Sequence, residues 1–150
     1  IQALSQIGAE IIFQGVKIRP GHSFSYSEFN GIKVFSLPGR ISASEIAFEL
    51  LVKPAILKLQ GKAKNPEIIY AKSKAKLESV PGQVHILRGK LEERNGELWV
   101  KPLRQKSWHK EIAQADGFIL VEPSQRNIKP GGIIKFMLHQ SGLDIIFKGG

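Results

Sequence analysis

The thirty residues from Ile32 to Gly61 constrain the fold more than any other part of the chain. An apolar stretch, Ile32 to Leu37, runs through Pro38-Gly39-Arg40-Ile41 into a long segment of helical periodicity. Ser42-Ala43-Ser44-Glu45 reads as a capping box that opens this helix, because a serine hydroxyl and a glutamate three residues later satisfy each other's free amides. Ala47, Leu50, Leu51, Pro54, Ala55 and Leu59 supply its apolar face, and Gly61 supplies its stop. Pro54 lacks an amide proton and crowds the preceding turn, so a kink is expected there.

Upstream, Leu4 and Ile7 lie at helical spacing before Gly8, and Ile11-Ile12-Phe13 reads as a buried strand. Val16 to Pro20 continues as extended chain. Phe24, Tyr26 and Phe29 predict a strand that ends at Asn30-Gly31, a strong hairpin signal because both central residues of the tight turn need positive φ. From Ile12 to Gly61 the expected order is three strands and a helix. Lys62-Ala63-Lys64-Asn65-Pro66 is polar and basic and closes on a proline, as linkers do, which places a domain boundary between residues 61 and 62. Beyond it come short runs, near 67–78, 83–93, 97–103, 117–122 and 133–138. They are punctuated by Pro81-Gly82, Asn95-Gly96, Ala115-Asp116-Gly117 and Pro130-Gly131-Gly132. This spacing predicts a small antiparallel barrel or sandwich, with one helical turn at 108–114. The expected fold class is α/β for 1–61, a mixed sheet with flanking helices, followed by a small all-β barrel over 62–150.

Composition narrows the function classes. With no cysteine, disulfides and thiolate metal sites are excluded, which fits a reducing compartment, the cytoplasm by default. No apolar run approaches the ~20 residues that span a bilayer, so no membrane is expected as a partner. Lys and Arg outnumber Asp and Glu by 22 to 13, a formal +9 that favours anionic ligands without choosing among them.

Two loops are candidates for receiving an anion. Pro38, Gly39, Arg40 and Ser42 sit where a strand feeds a helix N-terminus, whose free amides and partial positive charge suit a phosphate. Pro38-Gly39 as an ordinary connector is the bland alternative. Arg19, Gly21 and His22 surround a tight turn at a strand end and would join Arg40 on one anion if both loops share a sheet edge, arginine being able to bind in bidentate fashion. Solvated turn residues are the alternative there. No catalytic constellation is visible, and the four histidines (22, 85, 109 and 139) show no metal-ligand spacing. Lys53, Lys58, Lys62, Lys64, Lys72, Lys74 and Lys76, with Tyr70, Trp99 or Trp108 for stacking, make a nucleic-acid surface the rival from another class. The lysines are scattered over a helix end, a linker and a strand, so a solvated face is the more economical account.

The segment GIKVFSLPGRISASEIAFELLVKPAILKLQG resembles the stretch of molybdopterin molybdenumtransferases, the MoeA and gephyrin E-domain family, that runs G-x-P-V-F-G-L-P-G-N-P-V-S-A into F-E-L-F-V-R-P-A-L and a final glycine. GAEIIFQGVKIRPGHS is similar to the family's G-A-E-V-x-F-x-G-V-x-x-K-P-G-K-P, and residues 85–136 look like its C-terminal β-barrel. The resemblance implies molybdenum cofactor biosynthesis: binding of adenylylated molybdopterin for molybdate insertion, assisted by magnesium or zinc. It also implies that residues 1–61 are the latter half of a pterin-binding domain. The cofactor-binding candidates are then Arg19, Gly21, His22, Pro38, Gly39, Arg40 and Ser42, in binding and not proton-transfer roles. Two departures fall in these loops, Arg40-Ile41 for the family's Asn-Pro and His22-Ser23 for its second Lys-Pro. The family's Thr-Gly-Asp-Glu and Gly-Val-Ser-Val-Gly-Asp motifs are expected before residue 1, so the chain alone is not expected to insert molybdate. A non-catalytic pterin-binding or scaffolding homologue is the alternative within the family. Expected partners are the pterin phosphate and the N-terminal part of the same protein, with a homo-dimer left open. Exposed apolar faces are expected where that part would sit.

Overall fold

The computed structural model describes residues 1–62, 65–104, 107–125 and 127–139, so Lys64 lies outside the described residues. The chain divides into two compact units, residues 1–64 and 65–150.

In the first unit a short helix α1 (Gln2–Gln6) precedes strand β1 (Glu10–Gln14) and a two-residue strand β2 (Ile18–Arg19). Strands β3 (Ser25–Phe29) and β4 (Ile32–Ser36) follow, and the antiparallel sheet has the order β1-β3-β4. The expected hairpin forms: Asn30 and Gly31 take φ of 49° and 78°, which registers Tyr26 against Phe35 and Phe29 against Ile32. The helix begins at α2 (Ile41–Ala47), passes through a wide turn over Phe48–Val52 and continues as α3 (Lys53–Leu59). Its packed core is Phe24, Ala47 and Val52.

Two features of the helix have distinct causes. Pro54 has no proton to give Leu50, and the amide of Lys53 bonds five residues back to Phe48. The expected kink is therefore a π turn, the wider loop that absorbs a missing rung. At the other end Gly61, at φ 69°, lets its own amide reach Lys58 at 3.1 Å and that of Lys62 reach Leu57 at 2.8 Å, the paired Schellman bonds. The expected capping box does not open the helix. Arg40 occupies the N-cap position, no side chain caps the helix, and the Ser44 hydroxyl turns back to donate to the Pro38 carbonyl. The serines were two residues too late, because the chain already turns helical at Ile41.

The second unit is a closed five-stranded β-barrel. Strands β5 (Ile68–Ser73), β6 (Val84–Arg94), β7 (Glu97–Pro102), β8 (Gly117–Val121) and β9 (Ile133–Leu138) run in the order β6-β7-β5-β9-β8, and β8 pairs back onto β6. One seam departs from the antiparallel expectation: β5 and β7 are parallel, meeting only at Lys72 with Trp99 and Ser73 with Val100. The strand expected over 67–78 thus stops at Ser73, while the helical turn at 108–114 is a two-turn helix α4 (Trp108–Gln114).

Strand β6 closes the barrel by serving two neighbours. Residues 85–89 pair with β8 and 89–94 with β7, so Gly89 is where the strand changes partners. A Cβ there would lie 2.5 Å from Val100 Cγ1 and 2.8 Å from Phe136 Cε2. Its cross-strand partner Gly117 has the Met137 carbonyl against its backbone, where a Cβ would collide. The paired glycines leave room for the Phe136 ring, which with Val100, Ile119, Val121 and Ile134 forms a core of no measurable exposure.

Candidate functional site

The two loops singled out in the sequence both belong to the first unit. After β1 the chain doubles back on itself. Gly15 donates to the Phe24 carbonyl and Val16 to that of His22, both at 2.9 Å, so residues 16–22 form a closed tongue. Its tip contains a cis Arg19-Pro20 bond and Gly21 at φ 116°. Gly21 is buried, and a Cβ on it would stand 2.9 Å from Ile18 Cδ1, which makes glycine the fitting residue on both counts. Arg19 and His22, either side of it, are exposed.

The second loop leaves β4 at Ser36. Pro38 is buried and its carbonyl is taken by Ser44, which pins the loop to the helix. Gly39 and Arg40 project into solvent, and Ser42 is half-buried in the first turn. The carbonyl of Arg40 accepts from Ala43 and Ser44, both at 2.9 Å. Ile41 thus heads a helix whose N-cap residue makes no side-chain cap and whose first turn holds no acidic residue. Such a terminus is electropositive, and the exposed guanidinium of Arg40 adds to it.

The loops are neighbours, since the Cβ position of Gly21 falls 3.9 Å from the Ala43 carbonyl. No ion pair joins Arg19, His22 or Arg40 to any described carboxylate. Elsewhere in this unit two lysines are neutralised, Lys33 by Glu28 at 2.8 Å and Lys53 by Glu49 at 2.7 Å. The bond from Lys33 holds the Glu28 carboxyl below the usual range, and Glu28, as acceptor of the Tyr26 hydroxyl, pushes that phenol up.

The basic stretch of the second unit has a different character. Lys72 pairs with Glu97, Lys74 with Glu92, Lys76 with Glu78 at 3.0 Å, and Lys135 with Glu122 at 3.2 Å. The partner lysine holds each of Glu78, Glu92 and Glu97 below the ordinary carboxylate range, chiefly through the hydrogen bond. Trp99 lies under the Lys72 ammonium at 5.5 Å from the ring centre, and Trp108 stacks on His109. Tyr70 is 65% exposed. A strip of mated charges offers a polyanion little net attraction, in contrast to the loops of the first unit.

Among the described residues no cluster of three or more His, Asp or Glu could hold a metal ion. No described helix is long and apolar enough to cross a membrane. Sequence reasoning overlooked Asp116, which it treated as turn punctuation. This buried residue receives the Leu91 amide on its carboxylate at 2.8 Å, donates its own amide to Gly89 and accepts that of His139, both at 2.9 Å. It ties β6 to both ends of the β8–β9 hairpin. The cue available was its place in Ala-Asp-Gly beside a glycine that had to be one.

Comparison with known proteins gives a consistent result. Residues 70–139 match the family model for the MoeA C-terminal region (domain IV). The chain is 32% identical over 138 residues to a molybdopterin molybdenumtransferase of Staphylococcus epidermidis, covering 90% of this chain and 33% of that protein. It is 26% identical over 137 residues to the molybdopterin molybdenumtransferase of Bacillus subtilis, covering 89% and 32%. Among solved structures, the molybdopterin biosynthesis MoeA protein of Pyrococcus horikoshii superposes with a TM-score of 0.77 at 25% identity, over 91% of this chain and 34% of that one. A molybdenum cofactor biosynthesis protein of Pyrococcus furiosus gives 0.71 at 25% identity, over 86% and 45%. The chain thus spans about a third of the length of the curated relatives it matches.

Proposed function

We propose, for a chain that belongs to the MoeA family of molybdenum cofactor biosynthesis proteins, that the loops 19–22 and 38–42 bind the phosphate-bearing end of molybdopterin. In this reading residues 1–61 are part of the pterin-binding α/β domain and 62–150 are a separate barrel. The observation that carries the proposal is the uncapped start of α2, with no acid in its first turn and the Gly21 turn packed beside it. The amide of Ile41 receives a phosphate oxygen beside Ser42 in the first turn, Arg40 closes over it, and Arg19 and His22 approach from the tongue. Gly21 and Gly39 let the backbone come close, and Pro38 fixes the loop through Ser44. Each residue binds or orients; none is placed to move a proton.

Within the family's activity the ligand is adenylylated molybdopterin, with molybdate as the substrate inserted and magnesium assisting. These roles belong to a complete protein that includes the remaining two thirds of the relatives' length. A pterin-binding homologue without catalysis meets the same geometry, and the substitution of Arg40-Ile41 for the family's Asn-Pro is what favours it. Calorimetric titration of molybdopterin into the chain and its Arg40→Ala variant tests the site. Loss of one charge-assisted contact is expected to weaken binding by roughly 1.5–3 kcal/mol, about ten- to hundredfold. Equal affinity in both proteins would remove Arg40 and the helix terminus from the site. Single-stranded DNA serves as the control ligand, and tight, steeply salt-dependent binding of it without pterin binding would promote the nucleic-acid rival.

A further inference from the structure

Helix α3 and the sheet of the first unit leave a groove open between them, with a volume of about 610 Å³. Its floor is aromatic. The Tyr26 ring centre lies 6.1 Å from that of Phe13 and 5.2 Å from that of Phe35, and all three rings line the groove. The opposite wall is formed by Leu51, Ala55 and Leu59, each four residues from the last, so they make one continuous ridge along the helix. Leu59 is 61% exposed and Phe13 40% exposed, a large apolar area for a site of this size. Two cations stand at the rim. Lys33 is held by Glu28 and Tyr26, whereas no ion pair joins Lys58 to another described residue.

The shape and chemistry of the groove restrict what can occupy it. A ridge with period four takes the complementary ridge of a second helix, and the small Ala55 at its centre permits the close approach, about 8–10 Å between axes, that such packing needs. The aromatic floor then covers a stripe of aliphatic side chains, the helix-in-groove arrangement. Convergent polar groups that would orient a small ligand are few: the two lysines of the rim and the Tyr26 hydroxyl, which is already engaged with Glu28 and Lys33.

We propose that this groove seats an amphipathic helix from polypeptide beyond the described residues, bearing an aliphatic stripe and carboxylates that face Lys58. This specifies the partner in the functional proposal above, the N-terminal part of a longer protein, and rests on it. The length required is at hand in the family, since the chain covers only 33% of its Staphylococcus epidermidis relative. The same proposal accounts for an apolar ridge persisting on the outer side of a helix that already has a packed core.

The test uses a synthetic acidic peptide of about 18 residues, five helical turns, with leucines at i, i+3, i+4 and i+7, and a second peptide of the same composition in scrambled order. The striped peptide is expected to bind the chain saturably, one to one, with a gain in helical circular dichroism. Ala55→Glu is expected to weaken it at least tenfold. Lys58→Glu is expected to weaken it several-fold and to favour a lysine-bearing counterpart instead. Thermal melting checks each variant, and if Ala55→Glu loses its fold the exposed Lys58 charge exchange decides. Equal binding of the scrambled peptide, no gain in helix signal, or indifference to Lys58→Glu overturns the proposal. So does self-association of the free chain that Ala55→Glu abolishes, which would make the occupant a second copy, or equivalent binding to neutral phosphatidylcholine vesicles. Molybdopterin titration of the same variants separates the two sites: pterin binding without peptide binding sinks the groove alone, and the reverse sinks the ligand loops alone.

Discussion

The two units solve the problem of burying a β-sheet in opposite ways. The barrel returns its last strand to its first, so every strand has two neighbours and its core needs nothing from outside. The sheet of the first unit is three strands wide under a single broken helix, and it leaves Ile12, Phe13, Ile32 and Leu59 in solvent. Lys72, Lys74 and Lys135, on or beside β5 and β9 of the self-contained unit, are paired with glutamates, while in the open one Arg19 and Arg40 have no ion pair to a described carboxylate. Closure gives stability, and the incomplete layer holds the candidate chemistry, where loops at strand ends can be arranged around a ligand.

The contrast can be broken most directly by removing one ring from each unit. Phe136→Ala is expected to cost about 3–5 kcal/mol, because the barrel encloses that ring completely and the cavity cannot collapse. Phe35→Ala, at a half-buried position beside the open groove, is expected to cost less than half as much. Urea unfolding followed by the tryptophan fluorescence of the barrel and by far-ultraviolet circular dichroism checks both; equal losses would erase the distinction. The glycine seam gives the next effect. Gly117→Ala is expected to destabilise the barrel by roughly 1–3 kcal/mol or to unseat β9, since the added carbon meets backbone and not a flexible side chain. Asp116→Ala strands the Leu91 amide and is expected to cost about 1–3 kcal/mol in the same assay.

Smallest is the effect of acid on the lysine–glutamate pairs. Glu78, Glu92 and Glu97 have carboxyls lowered from an ordinary value of 4.5 by their lysines. Their contribution is present in full above that value and is lost as pH falls through the lowered one. Glu78 and Glu97 are exposed and Glu92 is half-buried near the surface, so a Lys74→Met variant is expected to flatten the melting-temperature profile below pH 4.5 only slightly. A steep change would mean that the surface pairs, and not closure, secure the barrel.

Local rules were legible wherever one residue decides one turn. Asn30-Gly31 placed the hairpin, Gly61 the Schellman stop and Pro54 the break in the helix, because each acts through its own backbone freedom or missing proton. The family resemblance, carried by contiguous motifs, was equally plain. What required the structure was anything decided by distant partners. Ser44 looked like part of a cap but bonds backward to Pro38, an option that exists only once β4 and α2 are joined at that angle. Gly89 reads as a weak point in a strand until β7 and β8 are seen to share it. The parallel seam between β5 and β7 left no trace in spacing, as only two residue pairs make it. For the candidate site, residue types and loop positions were readable, whereas the nearness of the Gly21 turn to the first turn of α2 was not.

The edges of the three-stranded sheet carry one more consequence. Strands β1 and β4 each have β3 as their one neighbour within that sheet, so each offers a row of backbone donors and acceptors on its outer side. A chain made without a covering segment has there a template for intermolecular strand addition, and aggregation would begin at these borders and not in the barrel, which has none. Lys33, in β4 and held by Glu28, sets a charge beside one border; Ile11-Ile12-Phe13 has no such guard. Where this polypeptide is produced alone, intermolecular pairing is therefore expected to start at β1, where Glu10 is the one charge among five residues.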